Sequence, residues 1–451
     1  MYTKLVSSVL FPLHEQLKRH SSVALRRELE SSQWFNTDKL AAIQLHKLNQ
    51  FMLNIAQHVP YYRGLFADLG LTPGQFQSVS EIAQLPLLDK ATIRNAGQLL
   101  RADNAGPLSL FNTGGSSGQP LQFMVGKQRK SHDIAAKWRA TRWWDVDIGD
   151  KELVVWGSPI ELKTQDRLKQ LRDTLFRSQL LPAFAMSEQH LKGYIEDIRR
   201  FAPTMLFGYP SSLSLIARYA KLHNITMSDL GIKVAFVTSE RLFENQKALI
   251  SEVFNCPVAN GYGGRDAGFI AHQCPQGGMH ISAEDIIVEI IDKLGNPLPA
   301  GEVGEVVVTH LATAEFPFVR YRTGDLACLG TDLCPCGRHL PLLESIEGRT
   351  TDFIIAADGT TMHALSLIYV LRELSNVAEF KIIQESQFHT RLLLVMQSDV
   401  DNASIDFIRR NFHQRLGDIQ LDIEFVTQIP REKSGKFKYV ESKVGVTWDY
   451  A

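Results

Sequence analysis

The chain has 451 residues, 48 Lys and Arg against 49 Asp and Glu, and 44% hydrophobic residues. That length suits two or three domains or one large α/β unit, and the apolar share excludes wholesale disorder and a collagen-like chain. A net charge of −1 offers no global attraction for phosphate backbones, which argues against an extended nucleic-acid surface. Five cysteines do not make a disulfide scaffold in so long a chain; they suit a reducing cytosol. No apolar run reaches the roughly 18 residues that a membrane helix needs. Leu5 to Leu13, behind the single charge of Lys4, holds Ser7, Ser8 and Pro12 and lacks a small-residue cleavage site. It reads as an amphipathic helix packed on the body rather than a secretory signal. The expectation is a soluble, cytoplasmic protein without membrane insertion.

In chain order, Tyr2 to Glu30 and Thr37 to Val59 show apolar residues at helical spacing, the second ending before Pro60. From Glu152 the pattern turns to short β-rich runs. Leu153 to Trp156, Thr204 to Phe207, Val234 to Val237 and Val258 to Gly261 suit buried strands. Helical stretches lie between them at Gln189 to Phe201, Ser212 to His223 and Glu244 to Phe254. Such alternation predicts a layered α/β domain. Asp285 to Ile291 and Gly304 to Leu311, split by the Gly295-Asn296-Pro297 turn, predict a β-rich subdomain. After Gly348 a hairpin around Asp358-Gly359 leads into a further set of strands and helices, enough for a small α+β domain. The predicted architecture is a large layered N-terminal domain, residues 1–347, and a mobile C-terminal lid, residues 348–451.

Five polar segments interrupt this pattern. Asn112-Thr113-Gly114-Gly115-Ser116-Ser117-Gly118-Gln119-Pro120 combines three glycines with hydroxyls that can wrap an anion, or serves as a surface linker. No Gly-Lys-Ser/Thr follows, so it is not the usual phosphate loop. Asn260-Gly261-Tyr262-Gly263-Gly264-Arg265-Asp266 follows a strand; Tyr262 can stack on a base and Asp266 can hold magnesium, or the segment is a plain glycine-rich turn. Arg320-Tyr321-Arg322-Thr323-Gly324-Asp325-Leu326 places an Asp where a ribose diol can bond to it, or forms an ordinary turn. Gly348-Arg349-Thr350-Thr351-Asp352 marks the domain boundary, and Pro430 to Lys436 is either a functional lysine loop or a solvated tail.

In this order and spacing the five segments resemble the adenylate-forming superfamily of acyl-CoA synthetases, adenylation domains and luciferases. Within it the chain is similar to the phenylacetate–CoA ligase family, in a subgroup labelled as capsular-polysaccharide-biosynthesis proteins where an Arg precedes the acidic residue, as Arg265 does. The resemblance runs from Leu85 to Lys436. It implies ATP, Mg2+ and a carboxylic acid, with coenzyme A or another acceptor, and a homodimer is a further expectation. By the same resemblance, Thr113, Gly114, Gly115, Ser116, Ser117 and Gly118 hold the β- and γ-phosphates. Ser239, Glu240 and Tyr262, with Gly261 and Gly263, lie by the adenine. Asp266 corresponds to the magnesium-associated Glu, Asp325 to the ribose-binding Asp, and Arg349 to the Arg near the linker. Lys436 corresponds to the mobile lysine that bridges carboxylate and α-phosphate, and the small domain rotates between two half-reactions. Three departures stand out: Gln119-Pro120-Leu121 lacks the Lys common elsewhere, Asp266 is one methylene shorter than Glu, and Thr351 replaces an acidic hinge residue.

Cys274, His280, Cys334 and Cys336 bracket the β-rich region and supply ligands for a closed tetrahedral zinc site, with His272 as a substitute for His280; unconnected packing is the alternative. Trp156, Tyr209, Pro210 and Phe236 are wall candidates for an aryl or similar acid, or ordinary core. The reading is ATP-dependent acid activation with transfer to coenzyme A. Transfer to a non-CoA acceptor in surface-polysaccharide assembly, nucleotidyl transfer of AMP, and a non-catalytic scaffold are the alternatives.

Overall fold

Short runs of β-branched and aromatic residues become strands buried on both faces when helices follow each one and can fold back over the sheet. The computed structural model describes residues 2–113, 121–156, 167–183, 188–349, 353–359, 361–374, 376–397, 402–430 and 437–444. Ser109–Asn112 (β1) pairs antiparallel with Gln122–Val125 (β2), Asn112 opposite Gln122. Glu152–Trp156 (β3), Ser178–Pro182 (β4), Met205–Gly208 (β5), Val234–Thr238 (β6) and Val258–Gly264 (β7) form a parallel array in the order β4-β3-β5-β6-β7.

Alternate residues of these strands face two different layers. Leu153, Val155, Leu206, Ala235 and Val237 pack with Ile198, Leu213, Ile216, Ile250 and Phe254 of the intervening helices. Met205, Phe207, Val234 and Phe236 face Leu40, Ala140 and Trp143 instead. Helix Glu244–Phe254 stops at Asn255, whose φ of 49° is the left-handed cap that asparagine tolerates.

The β-rich region is continuous with this array. Gly268–Gln273 (β8) pairs antiparallel with β7, and Met279–Ile281 (β9), Ile286–Ile291 (β10), Val303–His310 (β11), Tyr321–Leu329 (β12) and Leu342–Arg349 (β13) extend it. The result is one 11-stranded sheet, β10-β11-β12-β13-β9-β8-β7-β6-β5-β3-β4. The sheet changes from parallel to antiparallel pairing at β7–β8. Helices Thr37–His58 and Pro60–Leu69 bury Leu48, Phe51, Ile55, Tyr62 and Phe66 in the core that this arm shares.

The chain divides into two compact units, the first running to Ile346 and the second from Glu347, with Gly324–Leu326 counted in the second. The second holds the hairpin Phe353–Ile355 (β14) and Thr361–His363 (β15), and a four-stranded sheet. That sheet orders Gln420–Phe425 (β18), His389–Met396 (β17), Val377–Ser386 (β16) and Val440–Ser442 (β19). The buried Gln384 side chain bonds Ile355 in both directions, accepting from its N–H at 3.0 Å and donating to its C=O at 2.7 Å. A buried side-chain amide thus bonds both backbone groups of Ile355. Among the described residues no helix is long and apolar enough to cross a membrane.

Helix Lys127–Arg142 departs from the usual apolar stripe. Its buried face carries Arg129, Ser131, His132 and Arg139 between alanines and Trp138. Arg139 is 1% exposed, yet it pairs with the equally buried Glu284 at 2.6 Å and donates to Ser282 Oγ and the Leu29 carbonyl. Ser32 donates to the same Glu284 oxygen at 2.7 Å. Removing one partner of such a pair strands a buried charge. Glu284→Ala is therefore expected to lower unfolding free energy by about 3–5 kcal/mol, read from the midpoint of urea denaturation.

Candidate functional site

Parallel strands deliver their C-terminal ends to one edge, where loops can carry chemistry. The register makes that edge explicit. Val155 lies opposite Gly208, Gly208 opposite Val237, and Thr238 opposite Gly261. Trp156 ends β3, Tyr209 and Ser239-Glu240 follow the ends of β5 and β6, and Tyr262 follows Gly261 within β7, so sequence candidates from four strands gather along one line.

At the near end Trp156 stacks on Tyr209, ring centroids 4.3 Å apart and 27° between planes. Tyr209 is buried and Trp156 half-buried, so the pair offers one aromatic face. Pro210 opens helix Pro210–Leu222, a position that costs no backbone bond. Glu240 Oε2 accepts the Ser211 N–H at 3.2 Å, a carboxylate placed at a helix N-terminus where the dipole favours it. Ser239 itself sits at φ 70°, a left-handed conformation unfavourable for a residue with a Cβ.

Phe236 lies beneath this edge, fully buried among Phe207 and His272. Gly261 rests on it: a Cβ there would come within 2.9 Å of the Phe236 ring. Phe236 is thus a floor under the glycine turn. Gly263 is held closer still, since a Cβ would fall 2.1 Å from the Gly268 carbonyl across a register shift between β7 and β8.

This turn presents Asp266. Tyr321 Oη donates to Asp266 Oδ2 at 2.6 Å, while Oδ1 faces Gly264, where a Cβ would intrude to 2.7 Å. From behind, the buried Arg129 donates to the carbonyls of Arg265 at 3.3 Å and Asp266 at 3.5 Å, its own charge answered by Asp133. Asp266, Arg129, His310, Glu315 and the aromatic rings of Phe123, Phe316 and Phe318 line a small pocket. Burial, then the charges of Arg129 and His132, hold His310 well below the usual imidazole range, so it is neutral. Glu315 Oε2 is buried without a hydrogen-bond partner, and only the glycine at 126 leaves it room. Two carboxylates with hard oxygens fit a magnesium ion chemically.

Thr113 closes the base of its loop. Its N–H donates to the Leu121 carbonyl at 3.0 Å, and its Oγ1 accepts the Leu121 N–H at 2.9 Å. Gly114, Gly115, Ser116, Ser117 and Gly118 lie outside the described residues, as does Lys436. Asp325 is half-buried on β12, and Arg349 ends β13 with its side chain outside the description.

The arginines of Arg320-Tyr321-Arg322 have structural partners. Arg320 is buried on Glu289 and on the carbonyls of Ala83 and Leu85, and Arg322 pairs with Glu305. Tyr321, between them, is the residue that touches Asp266. Its role was readable only as a polar hydroxyl inside a motif whose aspartate drew the attention. Arg129 and Glu315 gave no sequence signal beyond a charge where the pattern wanted an apolar residue.

Next to the end of β8, Cys274, His280, Cys334 and Cys336 bring their ligand atoms within 4.8 Å of one another. Cys274 and Cys334 sulfurs are 3.6 Å apart, and Cys336 Sγ is 3.2 Å from His280 Nε2. Tetrahedral zinc with its usual bond lengths spaces sulfurs by about 3.8 Å. His280 Nδ1 lies 3.4 Å from the Leu340 carbonyl, an outer contact that turns Nε2 inward. Burial pushes the Cys274 thiol up to about 12 and lowers His280 to about 4. Burial also disfavours the Cys336 thiolate, but hydrogen bonds from Arg338, Cys334 and Cys274 outweigh it and pull that thiol below its ordinary value. Gly278 leaves space for Cys334, since a Cβ would meet its sulfur at 2.6 Å. His272 is not part of the group; it stacks on Phe269 at 5.4 Å in the core.

A valine at 263 meets backbone, which cannot swing aside. Gly263→Val is expected to destabilise the fold by about 1–3 kcal/mol, visible as a lower thermal midpoint.

Comparison with known proteins adds four likenesses. Residues 354–443 match the family model of the CapK C-terminal domain. The chain is 25% identical to protein CapK of Staphylococcus aureus over 410 residues, 90% of each chain. It is 22% identical to phenylacetate-coenzyme A ligase of Thermus thermophilus, covering 91% of each. In fold it is similar to 2-hydroxyisobutyryl-CoA ligase in the postadenylation state, with a TM-score of 0.74 and 21% identity over 91% of this chain and 90% of that one.

Proposed function

The chain belongs to the adenylate-forming superfamily, beside the phenylacetate–CoA ligases and CapK, and we propose that it is a cytoplasmic, AMP-forming acid–thiol ligase. In the first half-reaction a carboxylate oxygen of the acid attacks the α-phosphorus of ATP. The bond to the β-phosphate oxygen breaks, and pyrophosphate leaves. In the second, the sulfur of coenzyme A attacks the acyl carbon, its proton passes to solvent, and AMP departs. The observation that supports this most is the line of Trp156, Tyr209, Ser239-Glu240 and Tyr262 along one sheet edge. An aromatic face for an acid lies there beside a turn suited to a base.

The chemical difficulty is that two anions must meet. Magnesium, when held at Asp266, supplies positive charge to the phosphates. Tyr321 and Arg129 orient that carboxylate, one through its oxygen and the other through the backbone beneath it. The loop closed by Thr113 cradles the β- and γ-phosphates with backbone N–H groups. Asp325 takes the ribose, Arg349 lies near the linker, and Lys436, carried on the lid of residues 348–451, neutralises the carboxylate and α-phosphate as they approach. Trp156 and Tyr209 favour an aryl or similarly flat acid. The Arg265 that precedes Asp266, the feature behind the subgroup resemblance, supports a second reading, in which the acyl group passes to an acceptor other than coenzyme A, in surface-polysaccharide assembly.

Pyrophosphate release with a panel of carboxylic acids, with and without coenzyme A, tests the proposal. Acid-dependent release and a thioester product support it; AMP-labelled acceptor, or no turnover with any acid, rejects it. Lys436→Ala is expected to lower acid-dependent release by roughly 10²–10³ with ATP affinity nearly unchanged, because its charge acts in the transition state. Equal release by both forms removes the role given to Lys436.

We further infer that Cys274, His280, Cys334 and Cys336 hold a structural zinc ion. Elemental analysis is expected to find about one equivalent per chain, and chelation to lower the thermal midpoint. A metal-free preparation with an unchanged midpoint defeats this assignment.

A further inference from the structure

A helix that packs on a domain usually turns its polar side to water. The first helical segment turns a row of apolar residues to water as well. Tyr2–Leu5, Val6–Leu10 and Phe11–Leu17 follow one another, the middle one a π-helical turn. Val6 and Phe11 are buried against Trp138, with Leu10, Ile134 and Phe176 around them. Leu5, Val9, Leu13 and Leu17 point the other way and are 45%, 44%, 53% and 86% exposed. Steps of four residues would drift around an α-helix by roughly 40° each; the wider π turn counters that drift. Beside this stripe, Leu171 and Leu175 of helix Arg167–Phe176 are also exposed, and the two helices touch through Phe11–Phe176 and His14–Phe176.

The charges that this segment itself exposes are cationic, and Asp173 of the neighbouring helix is answered by Arg172. Lys4, Lys18 and Arg19 are exposed. Glu15, the single carboxylate between residues 2 and 20, is buried and bonded to Ser22 with His14 and His20 alongside. Partial burial, then Arg172 and more weakly Lys130, hold Lys18 below the usual lysine range against the opposite pull of Glu15 and Asp173. A second copy of the chain would set these cations against their own kind. An anionic surface would complement them, and an apolar stripe flanked by cations is the pattern by which a helix lies in a membrane interface.

We propose that the face formed by Leu5, Val9, Leu13 and Leu17, with Lys4, Lys18 and Arg19 at its ends, docks the protein on an anionic lipid bilayer. The helix lies on the surface and does not span it. Leucines enter the acyl boundary while the lysine and arginine heads meet lipid phosphates and carboxylates. An enzyme placed this way delivers its product next to the membrane, whatever the acid.

Sedimentation of the full chain with vesicles tests this. Phosphatidylcholine vesicles containing phosphatidylserine are expected to carry the protein down, phosphatidylcholine alone far less, and added salt to weaken the binding. The double variant Leu13→Asp/Leu17→Asp is expected to lose at least about tenfold in partition. Lys18→Gln/Arg19→Gln is expected to lose about 25-fold, at roughly fivefold per charge removed. Both keep the wild-type thermal midpoint and pyrophosphate release. No sedimentation with either vesicle overturns the proposal. A dimer in light scattering that Leu13→Asp/Leu17→Asp splits also overturns it, assigning the face to self-association.

Discussion

A buried guanidinium must be met on every side, and helix Lys127–Arg142 brings two of them into the heart of the first unit. Arg139 draws Glu284, Ser282, Ser32 and the Leu29 carbonyl around it, and Arg129 draws Asp133 and the carbonyls of the 265–266 turn. His132 lies 3.5 Å from Asp285, which also holds Lys47. Three segments far apart in sequence are thereby fixed to one helix. An apolar helix of the same length would have filled the same volume with less penalty, but it would have specified none of those positions. The position of Asp266 rests on that specification, because the carbonyl of its own residue is among the groups held.

The sheet's change of direction at β7–β8 explains where chemistry can gather. Parallel strands leave their C-terminal ends on one side with loops free to vary. The antiparallel turn that follows brings the chain straight back, so Asp266 emerges next to the last parallel strand end. Tyr321, from β12, closes on it from a strand that is remote in sheet order.

Much of the fold was legible because its strands are apolar runs and its flanking helices are amphipathic. Val234–Thr238 and Glu244–Phe254 have the extents their patterns predict, within a residue. The segment expected as one helix over Tyr2 to Glu30 is broken by a turn at 18–21, where Arg19 takes φ 57°. The β-rich region was legible as strands, yet nothing in its sequence says that it continues the parallel sheet, since pairing partners are not encoded in periodicity. Helix Lys127–Arg142 went unread because its inner face is ionic and carries no apolar period. The same property hid Arg129. The cysteine group, with His280 as its histidine, was readable from spacing; the register of β8 and β9 pairs His280 with His272 and places only the former among the thiols. The glycine-serine loop and Lys436 were read from motif order, which carries no coordinates.

Phe236 and Gly261 occupy adjacent strands, and each limits the bulk of the other. A smaller residue at 236 would open a hollow under the crevice, and a larger one at 261 would fill it from above. Exchange of volume between these two positions, two residues apart in register, would deepen or level the floor under the glycine turn while the strand backbones stay where they are. In the proposed acid site, that exchange would change the length of acid accepted without rebuilding a loop.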